Sequence, residues 1–177
     1  MKVALISPYS SITSLGVRLL SACLKEAGHE VKLVFMPAYP KAYTRIRFKA
    51  KPYSEEALAS LADLCSDCGL IGVSLMTNFF QAAVQITAAL RPRTQTPIIW
   101  GGIHPTICPE ESLQYADLIC VGEGEEAFPE LATRLDEGGA ANGIGNIWSL
   151  KNGEIQRTGI RHWIKDLGEL PIPDCFV

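Results

Sequence analysis

Short apolar runs alternate with amphipathic stretches along most of this chain, and that alternation is what most constrains its fold. Residues 3–7, 30–35, 70–76, 97–100 and 118–121 read as strands. Their near-continuous apolar character suits parallel strands covered on both faces. Between them lie helical patterns. Leu15, Leu19, Leu20, Cys23 and Leu24 recur at helical spacing up to a stop at Gly28. Residues 54–65, 78–90 and 125–136 read as further helices, with Ser54 and Asn78 as caps. A short helix is expected at Pro109-Glu110-Glu111, since proline and acids both suit a first turn. Residues 147–150 and 154–158 flank Asn152-Gly153 and read as a terminal hairpin. The order predicts an α/β, three-layer, doubly wound fold with a mainly parallel five-stranded sheet and a C-terminal hairpin. The expected division is an α/β domain over 1–140, a hairpin extension over 141–166 and a tail over 167–177.

Length and charge narrow the possibilities. A chain of 177 residues suits one domain with a substantial core. Sixteen basic and nineteen acidic residues leave a net charge of −3, which supplies no global field for a polyanion. Nucleic acid is not an expected partner. No run approaches the roughly 18 apolar residues of a membrane span, so a membrane is not expected either. The short apolar run after Met1-Lys2 does not resemble a signal peptide. The cytoplasm is the expected compartment, and the six cysteines are expected to be largely reduced there.

Ligands of such folds bind outside the carboxyl ends of the strands, where strand order switches. The loops to watch are therefore 8–16, 74–78, 101–109 and 122–126. They carry small and hydroxyl residues, and none holds a nucleophile paired with a base. No Gly-x-x-x-x-Gly-Lys-Ser/Thr loop occurs, and no Gly-x-Gly-x-x-Gly follows the first strand. An independent flavin or nucleotide protein is disfavoured on that ground. Gly101-Gly102 ends the fourth strand, where missing Cβ atoms would let a large ligand lie against backbone. Cys65-Ser66-Asp67-Cys68 sits at a helix end rather than a helix start, so it does not read as a redox or zinc pair. No catalytic residue and no metal ligand is assigned.

An ordered set of segments carries a resemblance. It comprises Gly16 with the helix ending Glu26-Ala27-Gly28-His29-Glu30-Val31, then Ile71-Gly72-Val73-Ser74-Leu75-Met76-Thr77, then Ile98-Ile99-Trp100-Gly101-Gly102-Ile103-His104-Pro105-Thr106. It continues through Pro109-Glu110-Glu111 and Ala116-Asp117 to Val121-Gly122-Glu123-Gly124-Glu125. Over roughly residues 1–137 the chain resembles the flavodoxin-like, Rossmann-like cobalamin-binding (vitamin B12-binding) domain at the N-terminus of cobalamin-dependent radical S-adenosylmethionine enzymes. Leu167-Gly168-Glu169-Leu170-Pro171-Ile172-Pro173-Asp174 is similar to the linker that precedes the radical domain in that family. That domain's Cys-x-x-x-Cys-x-x-Cys motif does not occur here.

The resemblance implies cobalamin as cofactor, with its nucleotide tail in a cleft beside the first strand and its corrin over the loops. It implies cofactor contacts from Thr13, Leu15, Gly16, Ser74, Met76, Thr77, Gly101, Gly102, His104 and Gly122. Many cobalamin domains ligate cobalt through the histidine of Asp-x-His-x-x-Gly. With Gly16 as the motif glycine, Thr13 stands at that histidine and Ser11 at the aspartate. The implied state is base-off, without a protein histidine. His104 is implied as a hydrogen-bonding residue rather than a cobalt ligand. The implied partner is a radical S-adenosylmethionine domain in cis, of methyltransferase or cyclase type, which alone would carry the iron–sulfur cluster and S-adenosylmethionine. The chain by itself is expected to be catalytically inert. The alternative is a degenerate module of the same fold that holds no cofactor and presents a substrate or a partner. The basic and aromatic connection around Lys41 to Lys51 is expected to be a solvated loop that covers the cofactor or meets the radical domain.

Overall fold

The computed structural model of the chain describes residues 1–10, 14–37 and 53–175. Thr13, Ser11 and the basic stretch from Lys41 to Lys51 lie outside the described residues. The elements run β1 (Lys2–Ser7), α1 (Leu15–Glu26), β2 (Glu30–Phe35), α2 (Glu55–Cys65), β3 (Leu70–Ser74), α3 (Phe80–Leu90), β4 (Ile98–Gly101), α4 (Ile103–Ile107), α5 (Pro109–Ser112), β5 (Leu118–Cys120), α6 (Ala127–Asp136), β6 (Ile147–Lys151) and β7 (Glu154–Gln156).

One sheet holds seven strands in the order β2-β1-β3-β4-β5-β6-β7. The first five pair in parallel, as their apolar runs require. The five-stranded count needs correction: the terminal hairpin is part of the sheet. β6 pairs antiparallel with β5 and extends the same hydrogen-bond ladder into β7. The edge of β5 is thereby paired rather than left open.

Two apolar layers flank the sheet. Alternate strand residues such as Ile6, Ile71, Val73, Ile98 and Trp100 pack against α2 and α3. Val3, Leu5, Leu70, Ile99 and Cys120 face the other way, against α1 and α6. Trp100 is fully buried, and its indole N–H donates to Thr87 Oγ1 at 2.9 Å, so the large ring leaves no polar group unmatched. Ser54 caps α2 by accepting from the Ala57 N–H at 3.2 Å. Asn78 does not cap α3. It lies in a tight turn, Thr77–Phe79, that precedes the helix. Helix α4 was not foreseen from the sequence: it is only five residues long and carries Pro105, which its first turn tolerates.

The strand order reverses between β1 and β3, and the loops leaving β1, β3, β4 and β5 meet at that edge. Tyr53 fixes the first of them, its hydroxyl donating to the Pro8 carbonyl at 2.5 Å. Among the described residues, no helix is long and apolar enough to cross a membrane.

The tail docks back on α1. Arg18 and the Asp174 carbonyl are hydrogen-bonded, the Asp174 N–H donates to Arg18 O at 3.2 Å, and the carboxylate meets Lys25 and Ser21. Hydrogen bonds from Lys25 and then Ser21 hold the Asp174 carboxyl below its ordinary value of 3.8. A depressed carboxyl contributes stability above its unfolded pKa and loses it as pH falls through the lower folded pKa. Docking is therefore expected to persist from neutral pH to about pH 4 and to loosen below that. Hydrogen exchange at the Asp174 amide checks this, and Asp174→Asn should speed that exchange already at neutral pH.

Candidate functional site

A cavity of about 630 Å³ opens at the carboxyl edge of the sheet, on the α1/α6 face. Its floor is Leu5, Gly72, Ile99 and Phe128. A Cβ on Gly72 would stand 2.8 Å from the Phe128 ring, so the floor reaches its depth only because β3 carries no side chain there. The rim comes from four loops. Gly16 opens α1 with nothing within 4 Å of an added Cβ, and Ser74 ends β3. Gly101 and Gly102 end β4, and Gly122 and Gly124 follow β5. The rim is thus bare backbone on three sides, the surface a broad amide-bearing ligand needs for close approach.

Gly102 is the most constrained of these residues. Its φ of 96° and ψ of −163° belong to a region that only glycine populates readily. An added Cβ would lie 2.8 Å from the Leu75 carbonyl oxygen. The turn is wedged between the ends of β3 and β4, where the Leu75 N–H donates to Gly101 O at 2.9 Å and Leu75 O accepts from the His104 N–H at 3.3 Å.

Five residues named from the sequence line this cavity: Gly16, Ser74, Gly101, Gly102 and Gly122. Leu15 and Met76 are exposed on the same sheet edge but outside the cavity lining. Thr77 and His104 sit behind the β4 lip. His104 is buried, with Nδ1 3.4 Å from Thr77 Oγ1 and its ring against Phe80. His29 packs instead between α1 and α6, its Nε2 3.1 Å from Thr133 Oγ1.

Sequence reasoning missed the far wall. Ile160, Arg161 and Trp163 follow the hairpin and fold across the cavity mouth. Glu123 Oε2 accepts from the Ile164 N–H at 3.1 Å, and Arg161 pairs with Glu126 and Glu130. Glu126, at the N-terminal cap of α6, is thus a tether for this wall. Asn146 joins the two sides, and no periodic pattern marks any of these residues. Ile103, Ile107, Ile160 and Trp163 leave large apolar surfaces exposed around the mouth.

The described lining offers hydrogen bonds and apolar contacts to a ligand. Burial, then the nearby Glu125 carboxylate, pushes the Cys120 thiol in the cavity wall up to about 12, so that thiol stays protonated. One Glu125 carboxylate oxygen is buried at the cavity without a hydrogen-bond partner. A ligand bearing amide or hydroxyl donors would satisfy it. A glycine lip, an apolar floor, an orphaned acceptor and an apolar mouth fit a large ligand with amide side chains, cobalamin included.

Comparisons with known proteins agree with this fold. The radical S-adenosylmethionine methyltransferase TsrM from Kitasatospora setae, solved with cobalamin and a [4Fe-4S] cluster bound, superposes with a TM-score of 0.71 at 20% identity, over 97% of this chain and 31% of that one. The cobalamin-dependent S-adenosylmethionine radical enzyme OxsB, solved with aqua-cobalamin and S-adenosylmethionine bound, gives 0.73 at 20% identity, over 98% of this chain and 24% of that one. The chain therefore spans less than a third of either enzyme. A search of curated proteins finds no match. The family model for the B12 binding domain matches residues 1–132, and the chain belongs to that family, with a fold resembling the cobalamin-binding modules of radical S-adenosylmethionine enzymes.

Proposed function

We propose that this chain holds cobalamin base-off at the carboxyl edge of its sheet and presents it to a radical S-adenosylmethionine domain in cis. The observation that carries the reading is the cavity at the strand-order switch, whose glycine lip lies within the segment that the B12-binding family model matches. Cobalamin supplies methyl-transfer or radical chemistry when bound; the protein supplies position and shielding. Gly16, Gly101, Gly102 and Gly122 give backbone access, Ser74 and Glu125 offer hydrogen bonds, and Ile103, Ile107, Ile160 and Trp163 cover apolar surface. Leu15 and Met76 belong to the same edge in this reading, and Thr13 stays a proposed cofactor contact. Residues 1–140 form the cofactor module, 141–166 its hairpin wall and 167–177 a linker. The iron–sulfur cluster and S-adenosylmethionine belong to the partner domain, and the cytoplasm suits the buried thiols of Cys23, Cys65 and Cys120.

A cobalamin titration of the purified chain, followed by visible spectroscopy and calorimetry, tests this. One equivalent should bind saturably with a base-off spectrum. A base-on spectrum at saturation would overturn the base-off assignment. No binding, either by this chain or by a chain extended through the following domain, would overturn the reading as a whole and favour a cofactor-free presenting module.

A further inference from the structure

Behind the β4 lip, on the side of α4 away from the cavity, three groups of different chemistry converge. His104, Cys108 and Glu111 each offer one donor atom, and these atoms all lie within 4.8 Å of one another. His104 is only 2% exposed, yet its Nε2 is buried without a hydrogen-bond partner. Glu111 Oε2 stands 3.5 Å from that nitrogen, outside hydrogen-bond geometry. A buried imidazole nitrogen left unmatched calls for an explanation.

The opposite ring nitrogen supplies one. His104 Nδ1 lies 3.4 Å from Thr77 Oγ1. With the Nδ1 proton directed at that oxygen, Nε2 carries a free lone pair aimed at Cys108 and Glu111. A hydrogen-bond acceptor behind the imidazole orients a metal-ligating histidine, and the Thr77 hydroxyl oxygen stands in that place. We propose that His104 Nε2, Cys108 Sγ and the Glu111 carboxylate bind a borderline-soft divalent cation, Zn²⁺ above all, with water completing a tetrahedron. Bonds of about 2.0–2.3 Å place two ligand atoms of one tetrahedral zinc roughly 3.3–3.7 Å apart. The His104–Glu111 separation of 3.5 Å already meets that requirement. Cys108 and Glu111 are not buried, so small side-chain rotations suffice to close the third side. The ligand set mixes nitrogen, thiolate and carboxylate, which selects zinc over magnesium or calcium.

The site would couple to the cavity through a single short helix. His104 lies in the first turn of α4 and Cys108 caps its end, Ile103, Thr106 and Ile107 of the same helix line the cavity mouth, and Glu111 lies in α5. A bound cation would staple α4 to α5 and hold that lip. The site does not depend on what the cavity holds.

The test is cobalt(II) substitution of the purified chain with no cobalamin added. Wild type should bind one equivalent, showing a thiolate-to-cobalt charge-transfer band and the intense d–d bands of tetrahedral cobalt, both erased by zinc. Cys108→Ser should abolish the charge-transfer band, and Cys175→Ser should retain it. Glu111→Gln should weaken zinc binding, and Thr77→Val should lower affinity roughly 10–100-fold through the loss of the oriented imidazole. The substituted side chains at 108 and 111 are not buried, so unchanged thermal unfolding of the metal-free variants separates ligand loss from misfolding. Absence of the band at saturating cobalt(II) overturns the proposal. So does a band that survives Cys108→Ser or vanishes with Cys175→Ser.

Discussion

Gly102→Ala should abolish cobalamin binding and cost about 3 kcal/mol of stability, since a non-glycine residue forced into this backbone region carries strain of order 1–3 kcal/mol before any clash. The clash is with main chain: the new Cβ would stand 2.8 Å from Leu75 O and 3.2 Å from Leu75 N. Neither atom can swing aside, because Leu75 N–H is tied to Gly101 O and Leu75 O to the His104 N–H. Relief must come from prising apart the ends of β3 and β4. That movement carries Gly101 and the α4 residues Ile103, Thr106 and Ile107 with it, and these form one lip of the cavity. For a chain of this size, 3 kcal/mol corresponds to a fall in Tm of roughly 6–12 °C. Gly101→Val is the contrast. An added Cβ at Gly101 meets Cys120 Cβ at an ordinary 3.8 Å, and no positive φ is involved. It should weaken cobalamin binding while leaving Tm close to wild type. Thermal unfolding and cobalamin titration of the two variants check the pair. If Gly102→Ala bound cobalamin normally, the β4 lip would not be part of the cofactor surface.

The sequence carried the sheet better than the site. The five parallel strands were legible because burial on both faces demands unbroken apolar runs. The hairpin was legible from Asn152-Gly153, which turns with positive φ at both residues. Its pairing with β5 was not legible, because edge-to-edge pairing leaves no local signature. At the site, the glycines that follow β4 and β5 stood out by position in the strand pattern. His104 and Thr77 were named as cofactor contacts, and the sequence could not show that they face each other behind the lip. The wall formed by Ile160, Arg161 and Trp163 follows no periodicity and meets residues 35 and 41 positions earlier in the chain, as in Arg161–Glu126 and Ile164–Glu123. The stretch 138–145 is rich in glycine, alanine and asparagine and carries no periodic signal. It leads into Asn146, whose bonds organise that wall.

Asn146→Ala is the second large effect, about 4 kcal/mol of destabilisation with loss of cobalamin binding. Two causes add. The residue sits at φ 70°, a left-handed conformation that costs an alanine about 1–2 kcal/mol and that asparagine tolerates better. Its buried side chain also bridges the two walls, Nδ2 donating to Glu123 O at 2.8 Å and Oδ1 accepting from the Arg161 N–H at 2.6 Å. Glu123 presents only a carbonyl there and Arg161 only an N–H, so the orientation of the amide is fixed. Truncation orphans both groups, at about 1–3 kcal/mol for each that stays buried. Asn146→Gly separates the causes, because glycine keeps the left-handed backbone and deletes only the bridge. It should recover about 1 kcal/mol relative to alanine in urea unfolding, yet bind cobalamin no better, since the Glu123 and Arg161 segments are unlinked in both variants. If glycine instead restored binding, the backbone bonds from Val121 N–H to Asn146 O and from Asn146 N–H to Gly159 O would suffice to hold the wall. The side-chain bridge would then stabilise the fold without shaping the site.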